Sequence, residues 1–218
     1  MKLDDNAERH SAPSSLFTRV KNQPPKMRRM RFMHRIRSLK ANVSLEEAKS
    51  QFAGGSLSKF TRDLAFGPLR SVAAIHIPFR LFEVAITNGG SSQTEFFALD
   101  VVNGTLDVFR FDSVPDTELV ESRNVLDVAV DDNKANDLVL SAVRRALYSH
   151  GFFKMRDLHL KAAALPGDLY APYWVGLRGR SQDVHLEVLD AVRRRMEGGK
   201  MRQMVSEWLL SASASLNR

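Results

Sequence analysis

Cysteine is absent from the 218-residue chain, so no disulfide framework, thiolate nucleophile or cysteine-held zinc or iron–sulfur centre can be built from it. Packing alone has to hold the fold. A reducing compartment is favoured, and a cytoplasmic location is the expectation. Long apolar runs are missing too: nothing approaches the about 18 residues that a spanning helix needs. The opening "MKLDDNAERHSAPSS" lacks the apolar core of a secretory signal and carries acids that a mitochondrial presequence avoids. The histidines His10, His34, His76, His150, His159 and His185 show neither His-x-His nor His-x-x-x-His spacing. No metal site is therefore written locally, no cofactor is expected and no catalytic residue is nominated. Only His76, His159 and His185, on expected strands, could converge through tertiary pairing.

One further absence is regional. No acid lies between Glu8 and Glu46, whereas ten Lys and Arg residues do. Residues 1–45 hold 11 Lys+Arg against 3 acids, and residues 46–218 hold 21 against 22. The formal charge of +7 is thus the property of an N-terminal segment, while the body is nearly neutral.

What is present reads as an α+β protein. With 44% hydrophobic and 26% charged residues, the chain is sized for one domain or two small ones. Residues 1–26 mix Ser, Asn, Pro and charge and end in "KNQPPK", which reads as a flexible basic tail. "NVSLEEAKSQF" opens a helix at Ser44, with Glu47 placed for a capping box. Gly54 and Gly55 interrupt it, and "SLSKFTRDL" resumes. "IHIPFRLFEVAI", "TEFFALDVV" and "TLDVFRF" read as a three-stranded antiparallel meander over 75–111, with a two-residue turn at Asn103-Gly104. "VPDTELVESRN" reads as a connection and "VLDVAV" as a short strand. A helix then follows, capped by Asp131 or Asp132 and presenting Leu138, Val139, Ala142, Val143, Ala146 and Leu147 on one face. "DLHLKAAAL", a Pro-Gly-Asp turn, "LYAPYWVGLRG" and "VHLEVLDAV" read as paired strands, before a last helix over 199–212.

"IHIPFRLFEV" with "FALDVVNG" is echoed by "LYAPYWVGLR" with "EVLDAVRR". Pro78 matches Pro172, Phe79 matches Tyr173 and Asp100 matches Asp190, and a capped helix precedes each strand group. The expectation is two related helix-plus-hairpin units, 27–115 and 116–218, packed as one body of antiparallel sheet and helices. In that register "MRRMRFMHRIRSLK" (27–40) corresponds to a strand leading into a helix. Its alternation agrees, with Arg29, Arg31, Arg35 and Arg37 on one parity and Met30, Phe32, His34 and Ile36 on the other.

The stretch "FFALDVVNGTLDVFRF" resembles the hairpin of the PepSY family of small α+β modules, in which a strand ending in Asp-x-x-x-Gly turns back into the next. The second copy, "LDAVRRRMEGG", lacks that glycine. The resemblance implies a helix on an antiparallel sheet and a binding or inhibitory role.

Function follows from charge placement. The principal expectation is a non-catalytic binding or assembly module that docks on an acidic protein partner through Arg28, Arg29, Arg31, Arg35 and Arg37, with homo-oligomerisation compatible with this. Nucleic-acid binding through residues 27–40 is the alternative, and an enzyme with a nonlocal site the second. Phe79, Phe82, Tyr173 and Trp174 are candidates for an aromatic groove, against core packing. Ser56 and Lys59 fit a Ser-x-x-Lys pattern without its companion motif. Arg193, Arg194 and Arg195 are balanced by Glu187, Asp190 and Glu197 and read as a solvated, ion-paired face.

Overall fold

The computed structural model describes residues 33–149, 157–180 and 183–215. In chain order the elements are β1 (His34–Leu39), α1 (Leu45–Ala53), α2 (Ser56–Phe66), β2 (Leu69–Asn88), β3 (Ser91–Asp100), β4 (Phe109–Phe111), β5 (Thr117–Ser122), α3 (Asp132–Ser149), β6 (His159–Arg180), β7 (Asp183–Asp190), β8 (Arg195–Met196) and α4 (Gly199–Ser215). The fold is mixed α+β. Its described strands form one curled eight-stranded sheet in the order β4-β3-β2-β6-β1-β5, with β7 and β8 continuing from β6.

The centre of the sheet is the antiparallel pair of β2 and β6, the two longest strands. The aromatic and β-branched runs that mark them in the sequence suit strands covered on both faces. The odd-numbered residues Ile75, Ile77, Phe79 and Leu81 of β2 and Leu169, Ala171, Tyr173, Val175 and Leu177 of β6 enter one cluster, joined by Phe109 and by Met201, Met204 and Val205 of α4. Even-numbered residues face the opposite way. There, Phe82, Val84 and Ile86 with Phe97 and Leu99 pack under Ala135, Val139 and Val143 of α3. At the other end of the same face, Ala48 and Phe52 of α1 cover Leu189, Ala191 and Trp174. Two helices therefore cover hairpins distant in the chain: α1 lies over β6–β7 and α3 over β2–β3.

The local signals hold where they are strong. Ser44 Oγ accepts from Glu47 N at 3.3 Å while Glu47 Oε2 accepts from Ser44 N at 2.8 Å, completing the capping box. Asp131 caps α3 through Lys134 N at 2.9 Å. The expected meander is present as β2–β3–β4.

Four expectations are corrected. The turn at Asn103-Gly104 is part of a longer loop organised by Asp100, whose carboxylate accepts from the backbone of Asn103, Gly104 and Leu106 at 3.0, 2.9 and 2.8 Å. Gly104 takes φ 73° there, and a Cβ at that point would collide with Leu138 of α3. "VLDVAV" forms only a bridge at Val125, because its N–H groups are taken by carbonyls of other segments: Leu126 donates to His76, and Ala129 and Val130 to Val101. Pro166-Gly167-Asp168 is no chain reversal; β6 runs straight through, its extra residues absorbed as a bulge opposite Arg80–Phe82 of β2. The supposed connection contains β5, paired antiparallel with β1 over six residues.

Candidate anionic-partner interface

β1 is fixed by one side and offers the other. Ile36, Ser38 and Leu39 are buried, whereas Arg35 and Arg37 are exposed. Alternation sets Arg35, Ile36 and Arg37, since residues two apart share a face and stand about 6.6 Å apart along the strand; at the strand's ends His34 is exposed and Leu39 buried against their parity. Ser38 locks the register on β6, its hydroxyl donating to Tyr170 O at 3.2 Å. Arg35 stands opposite Glu121 and Arg37 opposite Leu119 of β5. Arg37 reaches Gly167 O at 3.5 Å, and neither arginine makes an ion pair with a described residue. Arg28, Arg29 and Arg31 lie outside the described residues, as does the part of the expected strand before Met33.

The four aromatic candidates are not brought together. Phe79 and Tyr173 are buried in the central cluster, Phe82 lies on the other face under α3, and Trp174 sits beside α1 with Nε1 donating to Val43 O at 2.8 Å. Parity separates Phe79 from Phe82 and Tyr173 from Trp174, so all four serve as packing. Burial, with Asp190 nearby, pushes the Tyr173 phenol well above its usual range.

The strand histidines stay apart. His76 pairs across from Pro172, His159 from Thr87 and His185 from Arg178, so His159 lies eleven residues along β2 from His76, about 36 Å of strand. His185 stacks on Phe66 at 4.1 Å. His76 is buried with Nδ1 unpartnered, and burial lowers its pKa to about 4. Among the described residues no group of His, Asp or Glu is placed to hold a metal ion. Ser56 and Lys59 both fall in α2.

Arg193, Arg194 and Arg195 are engaged as the sequence suggests, though with partly different partners. Arg193 lies over the Phe109 ring at 3.5 Å and pairs with Asp190 at 3.8 Å; Arg194 pairs with Glu47 at 3.1 Å; Arg195 pairs with Glu197 at 3.1 Å and Asp107 at 3.6 Å. Glu187 is used elsewhere: Arg178, only 1% exposed, donates to it at 2.7 Å and to Asp63 at 2.9 Å. The same guanidinium also reaches the carbonyls of Phe52 and Gly67. A cation at these two helix C-termini is favourable, and its full set of partners marks it as structural.

Two surface features escaped the sequence reading. Phe60, Leu64 and Phe66 of α2 are 70%, 65% and 44% exposed. Leu64 and Phe66 line an open depression of about 370 Å³ with Arg180, Val184 and His185. The second is the segment 112–122, "DSVPDTELVES", with four acids and no Lys or Arg, which includes β5. Its composition was the available signal.

No protein-family model, curated protein or solved structure matches this chain. Among the described residues, no helix is long and apolar enough to cross a membrane.

Proposed function

We propose that this chain is a non-catalytic binding or assembly module that docks on an acidic protein partner through Arg28, Arg29, Arg31, Arg35 and Arg37. The observation that carries this is the division of β1: Arg35 and Arg37 are exposed cations that make no ion pair with a described residue, on a strand anchored by buried Ile36, Ser38 and Leu39. A row anchored in this way presents positive charge without the ordering cost of a loose chain. A protein partner is preferred to nucleic acid because residues 46–218, with 21 Lys+Arg against 22 acids, add no second basic footprint for a phosphate backbone.

The two halves are read as related units that create this platform. Supporting this, Phe79 faces Asp100 across β2–β3 just as Tyr173 faces Asp190 across β6–β7. Val101 N donates to Pro78 O at 3.1 Å as Ala191 N donates to Pro172 O at 3.2 Å. Each proline, lacking a donor, stands where the outer neighbour of its strand changes. The binding role implied by the PepSY resemblance agrees with this reading.

The test is affinity of the full chain for poly-glutamate and for mixed-sequence DNA across a salt series. Binding to the acidic polypeptide that weakens about tenfold or more in Arg35→Ala/Arg37→Ala supports the reading. Tight DNA binding with a steep salt slope, or indifference of both ligands to the arginines, overturns it.

A further inference from the structure

The open depression beside α2 is apolar with a cation at its rim. Leu64 and Phe66 stand exposed around it with Val184, and exposed Phe60 lies one helical turn before Leu64. His185 lines it too, its ring stacked on Phe66. Its base is fixed: Gly179 N donates to Pro68 O at 3.2 Å, and Gly67 approaches Gly179 too closely to admit a side chain. Arg180 donates to Asp63 O at 3.1 Å but makes no ion pair with a described residue. Clustered exposed apolar groups of this kind mark an interaction site, and the unpaired guanidinium calls for an occupant that brings a carboxylate.

The loop between β4 and β5, Asp112-Ser113-Val114-Pro115-Asp116, has the complementary character. Val114 is 56% exposed. It stands between two exposed acids, Asp112 and Asp116, and neither makes an ion pair with a described residue. Pro115 restricts the backbone beside it, which lowers the ordering cost of docking. We propose that this loop of one copy seats Val114 in the α2 depression of a second copy, where Arg180 receives the flanking carboxylates. The contact joins unlike surfaces, so assembly runs head to tail and either closes into a ring or extends as a chain. It goes beyond the acidic-partner function proposed above and does not depend on it.

The loop cannot fill the depression of its own chain. Both its ends are fixed, Phe111 by pairing with Phe96 and Thr117 by pairing with Leu39. Leu39 follows Ser38, which meets β6 at Tyr170, and Arg180 lies ten residues further on, about 33 Å of strand. Phe96 is farther still, level with Ala163 through Glu83. Five residues tethered at both ends reach only about 10 Å from their base.

Sedimentation of the full chain over a concentration series is expected to show association. It should weaken about tenfold or more in the depression variant, Leu64→Ser/Arg180→Gln, and in the loop variant, Val114→Ser/Asp116→Asn. All four side chains are exposed, so both variants should keep the parent's melting temperature. An equimolar mixture of the two should form a dimer and nothing larger, because one unchanged loop then meets one unchanged depression. Since the chain has no cysteine, Val114→Cys and Leu64→Cys can be mixed as single-thiol chains, and oxidation should give the mixed disulfide in excess over either homodimer. A chain that is monomeric at every concentration, association untouched by either variant, or a mixture that stays monomeric overturns the inference. Association lost in the depression variant alone would mean that depression meets depression, which overturns it equally.

Discussion

Arg178 meets Glu187 across 2.7 Å at a point sealed by the ends of α1 and α2. Arg178→Met would leave Asp63 without its cation and Gly67 O without that donor, and would leave Glu187 and the Phe52 carbonyl to Arg62 alone, at 3.9 and 3.2 Å. Breaking one side of a buried ion pair costs about 3–5 kcal/mol. Urea unfolding is expected to show a stability lowered by that amount, read as a lower midpoint at unchanged slope. A loss under about 1 kcal/mol would mean that the network is not structural.

Asp100 is fully buried and holds three backbone N–H groups, whereas Asp190 holds two, those of Val192 and Arg193, each at 2.8 Å. Asp100→Ala is expected to cost about 2–3 kcal/mol and Asp190→Ala somewhat less, since every orphaned donor carries its own penalty. Hydrogen exchange offers the local check. Leu106 N–H should lose protection in the first variant and keep it in the second.

His76 gives the fold a pH dependence with a definite sign. Its pKa falls from 6.5 to about 4 through burial, so below pH 6.5 the unfolded chain binds more protons than the folded one. Stability is complete above that value and falls as pH drops towards 4, by about 3 kcal/mol if the buried ring stays neutral throughout. Denaturation midpoints measured between pH 7 and 4 should show the decline, and His76→Asn should flatten it. An unchanged decline in that variant would assign it to other groups.

β1 buries Ile36 and Leu39 and pairs with six residues of β5. A 33–218 fragment is expected to fold with stability within about 1 kcal/mol of the full chain. A 41–218 fragment is expected to lose the cooperative transition, because two buried aliphatic side chains and a strand's pairing outweigh the usual margin of stability. Circular dichroism melts distinguish the two, and a cooperative 41–218 fragment would contradict the role given to β1.

Local chemistry was legible where it is self-contained. The Ser44–Glu47 box and the Asp131 cap need only neighbours three residues away, and both are present as written. The alternation of Arg35, Ile36 and Arg37 likewise exposes the charges and buries the aliphatic. The misreadings share a cause, which is that strand identity depends on what lies alongside. β5 shows adjacent Leu119 and Val120 rather than clean alternation, and β1 makes it a strand. β6 continues through Pro166-Gly167 because β2 supplies its bonds on both sides of the bulge. Arg178 gave no signal in "VGLRGR", since its partners come from residues 52, 63, 67 and 187. The aromatic candidates were chosen by type, although their parity already divided them between faces.

The crossing of helices over distant hairpins governs the order in which the molecule can be completed. The surface formed by Phe82, Val84, Phe97 and Leu99 waits for Val139 and Val143, and Phe52 waits for Leu189 and Ala191. During synthesis the amino-terminal half therefore leaves the ribosome with a greasy strand face open for roughly 40 to 60 further residues, and with Phe52 of α1 uncovered for well over a hundred. Such long-range closure slows folding and lengthens exposure to aggregation, so a nascent chain halted near residue 115 should be a ready client for a holding chaperone.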